Sequence, residues 1–153
     1  HTLKGSVSNF GAQQATQAAY RLETMGRQGQ LQHSDSAFED LVTRFENWFN
    51  RREFDAIMAD MTDDCVFEHI GAEGHSFGRH EGQDAVRAVW HGLEAVFPGY
   101  KFEVEDVFAA GERGTCRWKV RWTQPDGSPA SLRGVDIFTF RDGKIAEKIT
   151  YTA

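Results

Sequence analysis

From residue 36 onward the chain switches between two apolar periods. Phe38, Leu41, Val42, Phe45, Trp48 and Phe49 recur at i, i+3, i+4 spacing and predict an amphipathic helix ending near Arg52. Ser36-Ala37-Phe38-Glu39 opens it as a capping box, with Glu39 reaching back to the first amide. Phe54, Ile57, Met58 and Met61 predict a second helix over about 54–61, and Cys65–Ile70 reads as a strand. Gly71, Gly74, Gly78 and Gly82 break the next stretch, leaving room for one short strand around Ser76-Phe77. A third helix over about 83–97 carries Val86, Val89, Trp90, Leu93 and Phe97, and Pro98-Gly99 ends it.

Beyond Gly99 the period becomes two. Tyr100, Phe102 and Val104 alternate with Lys101, Glu103 and Glu105. Cys116, Trp118, Val120 and Trp122 alternate with Arg117, Lys119 and Arg121 after the Gly111–Gly114 turn. Pairing across that turn sets Glu105 near Lys119 and Glu103 near Arg121, a solvated charge ladder. Turns at Pro125-Asp126-Gly127 and Asp142-Gly143 bound strands over 130–140 and 144–151. The fold class is therefore α+β. A curved antiparallel sheet wraps over three helices and leaves a cone-shaped cavity between them.

Residues 1–35 differ from this domain, which spans 36–153. They are rich in Gln, Ala, Ser and Gly; Ala12–Met25 reads as a weak helix, and Gly26 to Ser34 as a linker. The whole segment is an extension that either docks or stays mobile. With 153 residues the chain has room for one well-buried core. Twelve Phe and four Trp point to a deep core or an apolar pocket for a small hydrophobic molecule. A net charge of −6 without a basic block argues against nucleic acid and anionic membrane as partners. No apolar run nears the ~20 residues of a membrane span. Cys65 and Cys116 read as buried small hydrophobes rather than a disulfide. The expected location is cytoplasmic, with a processed N-terminus or a removed signal peptide left open by the start at His1.

One residue breaks the pattern. In Leu132-Arg133-Gly134-Val135-Asp136-Ile137-Phe138-Thr139-Phe140, a carboxylate stands mid-strand among large apolar groups. Such a group costs free energy unless paired, hydrogen-bonded or protonated, so Asp136 is the first candidate for function. The alternative is a structural carboxylate paired with Arg133, Lys148 or a buried amide. Because this strand is apolar on both parities, both faces are expected to be covered, one by the cavity and the other by a second subunit in a homodimer. His69, at the end of the first strand, is the candidate proton shuttle. Glu68 has the opposite parity. His75 and His80 lie in the Gly-rich loop, either at a pocket mouth or in solvent, and His91 reads as a surface or packing residue. The histidine spacings match no zinc pattern, and neither a metal nor a cofactor is expected.

Asp55-Ala56-Ile57-Met58, Gly82-Gln83-Asp84-Ala85-Val86-Arg87 and Arg133–Phe138 before Asp142-Gly143-Lys144-Ile145 carry a family likeness. Over about 36–153 the chain resembles the nuclear transport factor 2-like (NTF2-like) superfamily, and within it the SnoaL-like polyketide cyclases and ketosteroid isomerases. Asp136 falls where the isomerases keep a neutral aspartic acid as oxyanion donor. His69 stands at the place of their aspartate base, and Phe45 at the place of their oxyanion tyrosine. The resemblance implies a SnoaL-like proton-transfer enzyme without cofactor, acting on a hydrophobic carbonyl compound by isomerisation or intramolecular aldol closure. His69 would be the base, and Asp136 the acid, oxyanion donor or orienter. Phe45, Trp48, Trp118, Trp122 and Phe138 are candidates for the pocket wall, with core packing as the other reading. Lys148 is placed to neutralise Asp136 or to bind an acidic substrate, and His80 to border the mouth. A non-catalytic module that binds a ligand or partner on the same fold is the alternative, followed by dehydration and epoxide hydrolysis. The last of these recruits an Arg and a second Asp that the strand parities do not supply.

Overall fold

The alternating strands form one mixed, unclosed sheet of six, and the computed structural model describes residues 30–71 and 77–152. The expected helix over 12–25, Gly26, Gly29, Gly74, His75 and Ser76 lie outside the described residues. The elements run α1 Gln30–Arg51, α2 Phe54–Ala59, β1 Met61–Ile70, β2 Gly78–Glu81, α3 Gln83–His91 and α4 Leu93–Val96. They continue with β3 Lys101–Ala110, β4 Arg113–Thr123, β5 Pro129–Arg141 and β6 Lys144–Thr152. The sheet order is β2-β1-β6-β5-β4-β3. β3 to β6 make the expected antiparallel meander. β1 then joins β6 in parallel, a pairing that no local pattern announces.

Boundaries shift in four places. α1 begins at Gln30, so Ser36 lies inside the helix and forms no N-terminal cap. Glu39 instead accepts a hydrogen bond from the Ala109 amide at 3.4 Å, and Asp35 one from Gly111 at 2.9 Å. Met61 leaves the second helix and starts β1; the short strand lies at 78–81 rather than at Ser76-Phe77. Gly92 divides the third helix. The edge strand β3 is thus protected by side chains of α1 instead of another strand. Asn50 completes that cover: its Nδ2 donates to Phe102 O at 2.8 Å, and its Oδ1 accepts from the Phe102 amide at 2.7 Å.

α1 and α3 press their apolar stripes onto the concave face. Phe45, Phe49, Phe67, Trp90 and Phe138 meet there in edge-to-face contacts with centroids 4.9–6.0 Å apart. Register breaks in β1, β3 and β6 bend the sheet around them. The break in β3 also reassigns the charge ladder. Glu103 does pair with Arg121, but Glu105 is bridged by Arg133 at 2.9 Å and Arg117 at 3.4 Å rather than by Lys119. Cys65 and Cys116 are free buried thiols, and burial pushes the Cys65 thiol up to about 11.

Candidate functional site

Strand register sets the site out in rows across the concave face. Cys116, Asp136, Thr150 and His69 occupy one row on β4, β5, β6 and β1. The neighbouring row holds Phe138, Lys148 and Phe67. Asp136 and His69 are therefore two strands apart with Thr150 between them, on the order of 10 Å at normal strand spacing.

Asp136 is fully buried (0% exposed) and is held from two sides. Lys148 Nζ lies 2.7 Å from its Oδ2, and Thr150 Oγ1 donates to its Oδ1 at 2.6 Å. Lys148 also donates to Thr150 Oγ1 at 3.0 Å. This ammonium is only 6% exposed, and the rings of Phe49, Phe67 and Phe138 surround it at 5.5–5.9 Å. Of the alternatives open for Lys148, the structure realises neutralisation of Asp136.

His69 is oriented by other groups than Asp136. The Phe77 amide donates to its Nδ1 at 3.2 Å, and Thr152 Oγ1 lies 3.2 Å from its Nε2. An N–H directed at Nδ1 fixes the neutral ring as the Nε2–H tautomer, which makes Nε2 a donor. Burial, with the Lys148 charge second, lowers the imidazole below its ordinary value.

Glu46 is the residue that sequence reasoning missed. It sits four after Val42 and three before Phe49, squarely on the apolar stripe of α1, and only 2% of it is exposed. Its carboxyl is hydrogen-bonded to the Asp136 side chain. Burial, then the adjacent Asp136 charge, holds the Glu46 carboxyl well above the usual range. The signal was present: a charged residue at i+4 and i−3 of core positions cannot face water.

Linkage gives this a measurable consequence. A folded-state pKa above the unfolded value means the native state retains a proton that the unfolded chain has lost. Stability from this group is full below the unfolded value of 4.5 and declines as pH rises towards the folded one. Glu46→Gln should therefore gain stability relative to wild type as pH rises above 4.5, with the gap closing in acid. Urea unfolding at several pH values checks this, and parallel curves for the two proteins would refute it.

These groups border one cavity of about 490 Å3. Glu46, His69, Lys148, Thr150 and Thr152 form its polar side, and Phe49, Phe67, Trp90, Trp118 and Trp122 lead its aromatic side. Of the expected wall residues, Trp118, Trp122 and Lys148 line it. Phe45, Phe138, Trp48 and His80 do not. Phe45 and Phe138 are consumed by the core, and Trp48 stacks under Arg51. The His80 ring lies 2.6 Å from Phe77 O, bonded to the strand end. Asp136 stands behind the wall rather than in it. Glu68 faces away, paired with Arg79 at 3.2 Å, and His91 packs on Phe54 at 4.4 Å. No cluster of three metal-ligating side chains occurs among the described residues. Nor is any of their helices long and apolar enough to cross a membrane.

Gly134 shapes the back wall. It pairs with Trp118, and a Cβ there would lie 2.4 Å from the indole, so only glycine lets the ring lie flat across β5.

Comparison with known proteins agrees with this geometry. The SnoaL-like domain model matches residues 42–148, and a model of the Hpt domain matches residues 1–61. An NTF2-like protein of unknown function from Mesorhizobium loti is 30% identical, with a TM-score of 0.63, covering 78% of this chain and 93% of its own. TerC, co-crystallised with polyporic acid, is 20% identical at a TM-score of 0.67, covering 74% and 89%. A candidate SnoaL-like polyketide cyclase from Jannaschia sp. CCS1 is 22% identical at a TM-score of 0.64, covering 77% and 86%. Comparison with curated sequences gives no significant match. With a family match over most of the chain and a curved six-stranded sheet closing on its helices, this chain belongs to the SnoaL-like domain family and has the NTF2-like fold.

Proposed function

We propose that this protein is a cofactor-independent enzyme that moves protons on a hydrophobic carbonyl compound, as an isomerase or an intramolecular aldol cyclase. One observation carries the reading: the proton-handling groups His69, Thr150 and Lys148 converge on one side of an otherwise aromatic cavity. In this reading His69, held as the Nε2–H tautomer, turns its N–H from Thr152 Oγ1 to the substrate carbonyl when substrate enters. This reverses the role of base that sequence alone suggests. Asp136 acts through Thr150. The hydroxyl takes the proton from the carbon beside the carbonyl as it passes its own to Asp136 Oδ1, and the Lys148 ammonium faces the charge that develops on the oxygen. The buried position of Asp136 also supports the second reading, a binding module in which the ion pair is purely structural.

Proton–deuterium exchange of a panel of aromatic and terpenoid ketones, followed by NMR, decides between them. Wild type should exchange at least one ketone. His69→Ala and Thr150→Val, both of which keep the Asp136–Lys148 pair, should slow exchange at least about 100-fold while the protein stays folded. Binding without exchange by wild type across the panel would leave the binding module.

A further inference from the structure

We propose that the cavity takes a flat, elongated ketone of about three fused rings, bound carbonyl-first so that its far ring lies at an apolar mouth. This rests on the reading of the cavity as a ligand site and names the shape of the molecule it takes. Strand register shows how the wall is graded. On β6 the lining residues are Lys148, Thr150 and Thr152, and His69 stands beside Thr150 on β1. Glu46 joins this end through Asp136, which shares the row of Thr150. Thr152 pairs with Gly134, and the rows that follow on β4 and β5 are Val120 opposite Leu132, then Trp122 opposite Ala130. In those two rows no described lining residue carries a carboxyl, amine, imidazole or hydroxyl group.

The two ends also differ in access. Glu46, His69, Lys148 and Thr150 are buried, whereas Val96 is 51% exposed and the rings of Phe77, Phe97 and Trp122 are half-buried. Those rings touch in series, Phe77 with Phe97 at 6.4 Å between centroids and Phe97 with Trp122 at 4.8 Å, so the mouth has a continuous apolar rim. Hydrogen-bonding groups thus stand at the buried end and aromatic carbon at the open one. A carbonyl at the tip of the ligand reaches the buried end. One at its middle stops short of Thr150 and His69, sets ring carbon against them and forfeits the hydrogen bond. Leu132 lies four residues from Asp136 on β5, about 14 Å of strand, which is room for a three-ring body. The Trp118 ring, flat across Gly134, gives that body a flat surface to lie on.

The isomers 2-acetylphenanthrene and 9-acetylphenanthrene test this, because they share composition and differ in whether the carbonyl sits on an end ring or the middle one. Equilibrium dialysis should show wild type preferring the 2-isomer by about tenfold, the worth of one net hydrogen bond. Equal binding, the opposite preference, or binding of neither would overturn the proposal. 2-Acetylnaphthalene, one ring shorter, reads the other end of the cavity. The third ring should improve wild-type binding about tenfold, and Leu132→Trp, which places bulk where that ring would lie, should remove the improvement. A third ring that adds as much in folded Leu132→Trp as in wild type also overturns it. The isomer comparison needs no variant, so it decides the matter even where Leu132→Trp does not fold. A 2-isomer preference without ketone exchange would defeat catalysis and leave this inference standing. Ketone exchange with no preference would do the reverse.

Discussion

Replacing Lys148 with methionine will lower the unfolding free energy by about 3–5 kcal/mol, the usual loss when one partner of a buried ion pair is removed. Methionine fills much of the same space against Phe49, Phe67 and Phe138, so lost packing is a minor part. The dominant part is electrostatic. Asp136 would remain at 0% exposure as an unpaired charge beside the Glu46 carboxyl, with the Thr150 hydroxyl donating to it. Adding Asp136→Asn should restore at least half of the loss, because the amide carries no charge and can still accept from Thr150. Chemical unfolding of wild type, both single variants and the double variant gives the coupling free energy directly. If Lys148→Met loses less than about 1 kcal/mol, the pair is not the buried, uncompensated interaction that the geometry describes.

Gly134→Val should cost about 3 kcal/mol, the upper end for forcing bulk into a packed site. A Cβ at Gly134 would stand 2.4 Å from Trp118 Cζ2 and 2.6 Å from Cη2, with the Tyr151 carbonyl oxygen at 2.8 Å on the other side. The ring, which lines the cavity, would have to shift, and the backbone oxygen belongs to a strand held in the β5–β6 ladder. Ligand binding should therefore weaken together with stability. Shrinking the ring with Trp118→Leu in the Gly134→Val background should recover part of the stability, while Gly134→Val melting like wild type would contradict the close packing.

What the chain discloses depends on how local each cause is. The β5–β6 hairpin was legible because Asp142 and Gly143 both adopt positive φ, 54° and 75°, as an Asp-Gly turn favours. Alternation through Cys116, Trp118 and Val120 gave β4 and its inner face for the same reason. Ser36 misled because Ser36 and Glu39 stand at capping-box spacing, whereas the Glu39 carboxylate bonds the amide of Ala109, 70 residues away. Asp136 stood out by contrast with its apolar neighbours, and Lys148 was among the partners weighed for it. Glu46 stayed hidden because Glu is an ordinary helix residue, and only its phase in the stripe marks it as buried. The orientation of His69 was beyond reach, since it depends on the Phe77 amide and on Thr152 brought in by the β1–β6 pairing.

That parallel pairing also orders events in time. His69 lies beside Thr150, and Phe67 beside Lys148, so the two halves of the site join across about 80 residues of intervening chain. Contacts this distant in sequence form late, because the loop they close is long. On a ribosome, β1 and the helices emerge well before their partner strand exists. The aromatic wall of Phe49, Phe67 and Trp90 then has no β6 to close against, and the nascent chain carries an open apolar groove until its final strand is made.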